Sequence, residues 1–221
     1  MNFEQARFNM VEQQIRPWEV LDQAVLDLLY AVPREEFVPP AYRTLAFSDM
    51  EIPIEGGARG GERMWAPKIE ARVLQELSVK KSDRVLEVGT GSGYLTALLA
   101  HRAAQVRSVE INPALAAFGA ANLLRHGVEN VALETGDAAH GWAEHAPYDV
   151  IVLTGSTPLL PDAFVGQLAP GGRLFAVIGD APVMAARVLT RTAGGACSSV
   201  DLFETQLAPL VNCEQPQRFR F

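Results

Sequence analysis

Two hydrophobic rhythms divide the chain. Over residues 1–50 the apolar positions recur at helical spacing, with Phe3, Ala6, Met10 and Val11 on one face and Val20, Leu21, Val25, Leu28 and Leu29 on another. Pro17 and Pro33 interrupt the pattern, and no glycine occurs before Gly56, so this stretch is expected as a helical cover. Pro67 then opens a helix at its favoured first position, with Ile69, Val73, Leu74 and Leu77 turned inward. From Arg84 onward, short apolar runs alternate with helical stretches. Strands are expected at 84–88, 105–109, 130–134, 148–153 and 172–178, with helices at 94–102, 113–125 and 161–168. The last apolar segments, 185–192 and 199–206, flank Ala193-Gly194-Gly195-Ala196 and pattern as a hairpin. Such alternation predicts an α/β fold with a doubly wound, mostly parallel seven-stranded sheet of Rossmann-like type. It carries an N-terminal helical extension and a C-terminal antiparallel hairpin. Residues 1–66 are expected as the cover with its glycine-rich loop, and 67–221 as a core that forms one compact unit with it.

That loop, Glu55-Gly56-Gly57-Ala58-Arg59-Gly60-Gly61-Glu62-Arg63, holds four glycines in nine residues. It is either a linker or a lid at the edge of a site, because long glycine-rich loops inside compact domains are often functional.

Composition narrows the class of function. Hydrophobic residues at 48% and charged residues at 20% are ordinary for a globular domain. No apolar run is long enough to span a bilayer, and the opening MNFEQARFNMVEQQ is too polar for a signal peptide, so no membrane partner is expected. A net charge of −7 argues against a nucleic-acid partner. Arg59, Arg63, Lys68 and Arg72 cluster, but Glu55, Glu62, Glu70 and Glu76 interleave with them as on a solvated mixed face. Cys197 and Cys213 form no CxxC motif and fit free thiols in a cytoplasmic protein. His101, His126, His140 and His145 are scattered without carboxylates or cysteines at ligand spacing, so no metal site is expected.

The chemistry concentrates at strand ends. The first core strand runs into Glu87-Val88-Gly89-Thr90-Gly91-Ser92-Gly93, whose glycines permit a tight turn and bring backbone N–H groups near a ligand at a helix N-terminus. The spacing is GxGxG rather than the GxGxxG of dinucleotide binders. Glu87, two residues before the first glycine, suits a cationic ligand and would repel a pyrophosphate. Glu110 ends the second strand, where an acid accepts ribose hydroxyls, and Gly136-Asp137 follows the third, where Asp137 can accept an adenine amine. Each acid alone has a structural explanation as cap, exposed side chain or turn residue. Three at the ends of three successive strands point to a nucleoside-containing cofactor.

In combination these motifs resemble the class I S-adenosylmethionine (SAM)-dependent methyltransferases over about residues 80–180. Glu87–Tyr94 matches their first motif, Glu110–Pro113 the second, Gly136-Asp137 the adenine-contacting one, and Leu168–Gly172 the turn before the fifth strand. The resemblance implies SAM as cofactor, contacted by Glu87, Gly89, Thr90, Gly91, Ser92, Gly93, Glu110, Ile111, Asp137, Ala138 and Thr154. A narrower resemblance, carried by Val32–Val38, Ile52–Ile54, Arg84–Tyr94, Leu153–Pro161 and Ala208–Leu210, is to the protein-L-isoaspartate O-methyltransferases. It implies methylation of the free carboxylate of isoaspartyl residues in damaged proteins or peptides by a cytoplasmic, metal-free enzyme. That acceptor is ionised at neutral pH and needs no general base, only alignment and exclusion of water.

One departure stands out. Where the family carries a Thr-Ile-Ser-Gln/Ala-Pro motif, this chain has Arg63-Met64-Trp65-Ala66-Pro67, which puts Trp65 in the serine's place. No catalytic residue is assigned. The acceptor-pocket candidates are Met64 and Trp65 together with Ser156 and Thr157, with Arg63 or Lys68 as partners for a substrate carboxylate. Val211 and Pro216 are apolar where the family's tail, folded near the cofactor, would be polar. The competing readings are a divergent SAM-dependent methyltransferase with another small or peptidic acceptor, and a SAM-binding protein without activity. An NAD-dependent oxidoreductase is disfavoured by the GxGxG spacing and by Glu87.

Overall fold

The computed structural model describes residues 2–54 and 61–217. Of the glycine-rich run at 55–63, expected as a linker or a lid, residues 55–60 lie outside the described residues. The N-terminal cover is helical: α1 (Phe3–Met10) starts on Asn2, whose side chain accepts from Gln5 N, and α2 (Gln23–Ala31) starts on Asp22, which accepts from Ala24 N and Val25 N. A π-helical turn at Val11–Ile15 and a 3₁₀ turn at Arg16–Trp18 link them, the latter around Pro17. The helical pattern does not foresee a two-residue antiparallel ladder between β1 (Ile52–Pro53) and β2 (Arg63–Met64), in which Ile52 faces Met64. Then α3 (Pro67–Leu77) begins on its proline and buries Ile69, Val73, Leu74 and Leu77.

The core alternates as the pattern predicts: β3 (Arg84–Val88), α4 (Tyr94–Arg102), β4 (Gln105–Glu110), α5 (Pro113–Arg125), β5 (Val131–Thr135), β6 (Tyr148–Thr157), α6 (Asp162–Gln167), β7 (Leu168–Asp180), β8 (Val183–Arg191) and β9 (Cys197–Glu204). The sheet order is β5-β4-β3-β6-β7-β8-β9, parallel through β7 and antiparallel across β8 and β9. Chain order reverses between β3 and β6, which opens a crevice beyond their carboxyl ends. Both faces are buried. Val85, Val106, Val150, Val152, Phe175 and Val177 join the core under the N-terminal cover, and Leu86, Val109, Ile151, Leu153, Leu174 and Ala176 a second core on the other face.

Two irregularities bear on the site. The apolar run ends the fourth strand at Leu153, but β6 continues to Thr157 because a register shift between Val152 and Ser156 bulges Thr154 and Gly155 out of the ladder. Leu168–Gly172, expected as a turn, likewise pairs into β7 across a second shift. Among the described residues no helix is long and apolar enough to cross a membrane.

Arg34, fully buried, joins the cover to the core. Its guanidinium pairs with buried Glu70 of α3, donates from Nε to Ala46 O at 2.9 Å and from Nη2 to Trp65 O, and lies 5.0 Å from the Tyr94 ring centroid. Removing one partner of such a pair strands the other charge in the interior. The variant Glu70→Ala should therefore lose about 3–5 kcal/mol of unfolding free energy. Asp201→Asn, which breaks the exposed Arg187–Asp201 pair, should change it by less than ~1 kcal/mol. Urea titrations of both variants check the contrast, and equal losses would contradict it.

Candidate active site

The turn after β3 is shaped by what its glycines must avoid. Gly89 adopts φ +100°, and a Cβ there would lie 2.1 Å from Thr154 Oγ1, which donates to Val88 O at 2.8 Å and Gly89 O at 3.0 Å. Gly93, at φ +79°, caps α4, and a Cβ on it would meet Gly119 O of α5 at 3.0 Å. Gly93 therefore serves helix packing, and it does not line the cleft.

Three acids face the turn in three different states. Glu87 is fully buried; its Oε2 accepts from Thr96 Oγ1 at 2.5 Å and Ser108 Oγ at 2.6 Å, while its Oε1 has no partner among the described residues. Burial pushes its carboxyl up to about 8 against the lowering effect of those two hydroxyls, and the neighbouring Glu110 charge adds to the rise. Glu110 accepts from Gly91 N and Asn112 N, both at 3.0 Å, one on each oxygen. Asp137 accepts from Ala139 N at 3.0 Å and Asn212 Nδ2 at 2.7 Å, and these bonds, the backbone one first, hold its carboxyl below the usual range.

These groups line one cleft, open to solvent, at the switch point between β3 and β6. Glu87, Gly89, Thr90, Gly91, Ser92, Glu110, Ile111, Asp137, Ala138 and Thr154 all border it, and Arg63, Met64 and Trp65 form part of its opposite wall. Among the described lining residues Arg63 is the one cation; it is exposed, and burial raises the carboxyl of Glu51 against its partly offsetting charge. The C-terminal segment Leu207–Val211 completes the rim. It is tied to β6 by Ser156 N donating to Ala208 O, Leu210 N donating to Ser156 O, and Ser156 Oγ donating to Leu207 O at 2.9 Å. Residues 208–210 carry part of the family resemblance, which places the tail near the cofactor, and they do border the cleft. Val211, whose apolar side chain departs from a polar tail, is at the rim, and its neighbour Asn212 supplies the polar contact to Asp137.

Three expectations are corrected. Ser156 and Thr157 do not border the cleft: both are buried, and their hydroxyls donate to Leu207 O and Leu159 O. Lys68 is paired with Asp49 at 2.7 Å, beside a second hollow on the far side of Trp65. His145 does have carboxylate neighbours, because the fold brings ligand-type atoms of Glu134, Glu144 and His145 within 4.8 Å of one another. Glu134 is already engaged there, by Arg107 Nη1 at 2.9 Å and Trp142 Nε1 at 3.0 Å, as part of an ion-pair network.

The protein-L-isoaspartate(D-aspartate) O-methyltransferase family model matches residues 5–215. The chain belongs to this family. It is 43% identical over 194 residues to protein-L-isoaspartate O-methyltransferase 1 of Anaeromyxobacter sp. (strain Fw109-5), covering 86% of this chain and 89% of that one. It is 39% identical over 209 residues to the protein-L-isoaspartate O-methyltransferase of Gloeobacter violaceus (strain ATCC 29082 / PCC 7421), covering 94% and 99%. A solved protein-L-isoaspartate O-methyltransferase structure superposes with a TM-score of 0.79 at 25% identity, over 92% of this chain and 65% of that longer one. The chain is accordingly a SAM-dependent O-methyltransferase of a family that acts on isoaspartyl residues in proteins.

Glu87 makes the stability of the ligand-free protein depend on pH. Its folded value, about 8, lies above the ordinary 4.5, so the fold favours the protonated form. That stabilisation is complete below about pH 4.5 and is lost as the pH rises through about 8. Glu87→Gln, neutral throughout, should show a flatter melting-temperature profile and exceed the wild type most above pH 8. Parallel profiles for the two proteins would contradict the burial of an unpaired carboxyl.

Proposed function

We propose that this cleft binds SAM along the turn from Glu87 to Ser92, with the nucleoside between Glu110 and Asp137 and the isoaspartyl carboxylate on the wall of Arg63, Met64 and Trp65. The observation that carries the reading is the unpartnered, buried Oε1 of Glu87 beside two further acids in one cleft. A buried carboxyl oxygen that finds no cation or donor among the described residues fits the positively charged amino-acid end of the cofactor, whose charge would favour its ionised form. Glu110 and Asp137 keep lone pairs beyond those used by backbone and Asn212, which fits ribose hydroxyls and an exocyclic amine. Ile111, Leu115 and Ala138 supply apolar contact for a planar base.

When bound, the cofactor supplies an electrophilic methyl on a sulfonium. The chain's own residues then hold the acceptor and exclude water. Arg63 counters the negative potential that Glu51, Glu62, Glu110 and Asp137 give the cleft, so an acceptor carboxylate can approach. No side chain need take a proton, because the acceptor is already ionised. The free thiols, exposed Cys197 and buried Cys213, support a reducing cytoplasm as the working compartment. The cover and core act as one unit in this reading, since one apolar cluster runs from Met10 to Leu207.

Labelled methyl should pass from SAM to an isoaspartyl peptide and not to its aspartyl counterpart. S-adenosylhomocysteine, not NAD, should raise the melting temperature. Transfer to neither peptide with homocysteine-product binding intact would favour a different peptidic acceptor, the reading to which Trp65 in the serine's place points. Arg63→Gln should raise KM for the isoaspartyl peptide by roughly fivefold, about 1 kcal/mol, at unchanged affinity for S-adenosylhomocysteine. The affinity of the wild type should strengthen as pH rises toward 8, where Glu87 ionises, and that of Glu87→Gln should not.

A further inference from the structure

Trp65 is held from both ends. Its carbonyl accepts from Nη2 of Arg34, itself fully buried and fixed by Glu70 and by Ala46 O. Its indole Nε1–H donates to Thr154 O at 3.0 Å, across 89 positions of sequence. Thr154 sits on the β6 bulge, and its hydroxyl donates to Val88 O and Gly89 O, where the glycine turn begins. An unbroken line of contacts therefore runs from Glu70 through Arg34, Trp65 and Thr154 to Gly89. The indole ring is 6% exposed, packs edge-on against Phe175 at 5.9 Å, and separates the main cleft from the second hollow.

Core packing alone accounts for the ring, since a phenyl or isobutyl group would also fill an apolar slot over Phe175. It does not account for the aim of the N–H. The wall on which Trp65 sits is otherwise lightly held: β2 is two residues long and pairs with a β1 of equal length. A short ladder of this kind is marginal without outside anchors.

We propose that Trp65 is a positioning residue for methyl transfer, its indole N–H tying the acceptor wall Arg63–Ala66 to the bulge at Thr154 and so to the cofactor turn at Gly89. The inference rests on the reading of that wall as the acceptor side. With an acceptor that needs no deprotonation, the rate depends on how well nucleophile, methyl and sulfur are lined up, and the distance from wall to turn sets that alignment. The tryptophan in the family's serine position thus supplies a tether where a small hydroxyl would supply a direct contact.

Trp65→Phe keeps an aromatic ring against Phe175 but removes the donor and part of the indole's volume, and Trp65→Leu removes the donor with a different shape. With the full chain and an isoaspartyl peptide, both variants should lower kcat on the order of tenfold. KM for the peptide should move by less than about threefold and the Kd of S-adenosylhomocysteine, by titration calorimetry, by less than about twofold, because cofactor contacts are untouched. The melting temperature should fall by about 4–8 °C, as for one lost hydrogen bond together with the volume that the smaller side chains leave empty. An unchanged kcat in Trp65→Phe would overturn the proposal and leave packing as the ring's role. A loss of kcat matched by an equal loss of S-adenosylhomocysteine affinity would also overturn it, because general loosening would explain both. If the wild type transfers no methyl to the peptide, the acceptor-wall reading itself fails, and the inference with it.

Discussion

The buried pair of Arg34 and Glu70 is the constraint on which the arrangement of this molecule depends. Two opposite charges with almost no solvent contact are costly to desolvate, and they persist only where every donor is satisfied. Here one guanidinium meets a carboxylate, the carbonyls of Ala46 and Trp65, and the face of Tyr94. Burial lowers its value to about 10, which still leaves it charged at neutral pH. Those partners come from the cover, the acceptor wall, α3 and α4. Each segment is held where it is because displacement would leave part of a buried charge unpaired.

The acids of the cleft show the opposite strategy. Glu110 and Asp137 are held ready by backbone N–H groups, so their geometry is set before any ligand arrives. Glu87 is left half-satisfied: hydroxyls from α4 and β4 take one oxygen, and the other has none. An incompletely paired buried carboxyl is unfavourable for folding and favourable for binding a cation. The instability belongs to the ligand-free cleft, and in the proposed binding mode the cofactor's charge offsets it.

Much of this was legible in the residues, for reasons that are local. Strand and helix periods, the GxGxG turn and an acid at each of three strand ends are short-range features, and the doubly wound topology brings such strand ends together at its switch point. The rest depends on contacts distant in sequence. Thr154 is expected at the cofactor from the family resemblance, but the bulge that brings it and Gly155 to the cleft lies past the end of the apolar run at Leu153 and has no local signal. Leu207–Val211 reaches it by pairing with Ser156, which turns that hydroxyl away from any substrate. Glu134 and His145 meet only because β5 and the segment before β6 end side by side, so spacing gave no warning of their proximity.

Trp65 shows why motif departure and loss of function are different things. Read as a motif, an indole where the family has a serine removes a hydroxyl. Read in three dimensions, it adds a donor aimed at Thr154 O and an apolar wall against Phe175. In a reaction that needed a proton moved, the exchange would be disabling. Transfer to a carboxylate needs orientation instead, and orientation can be supplied by any rigid contact that sets the distance between wall and turn. On the proposed role of Trp65, the serine's chemistry is dispensable in a way its position is not, and a chain that keeps the surrounding cleft can tolerate a larger residue there provided that residue is anchored. Arg34 on one side and Thr154 on the other provide that anchoring.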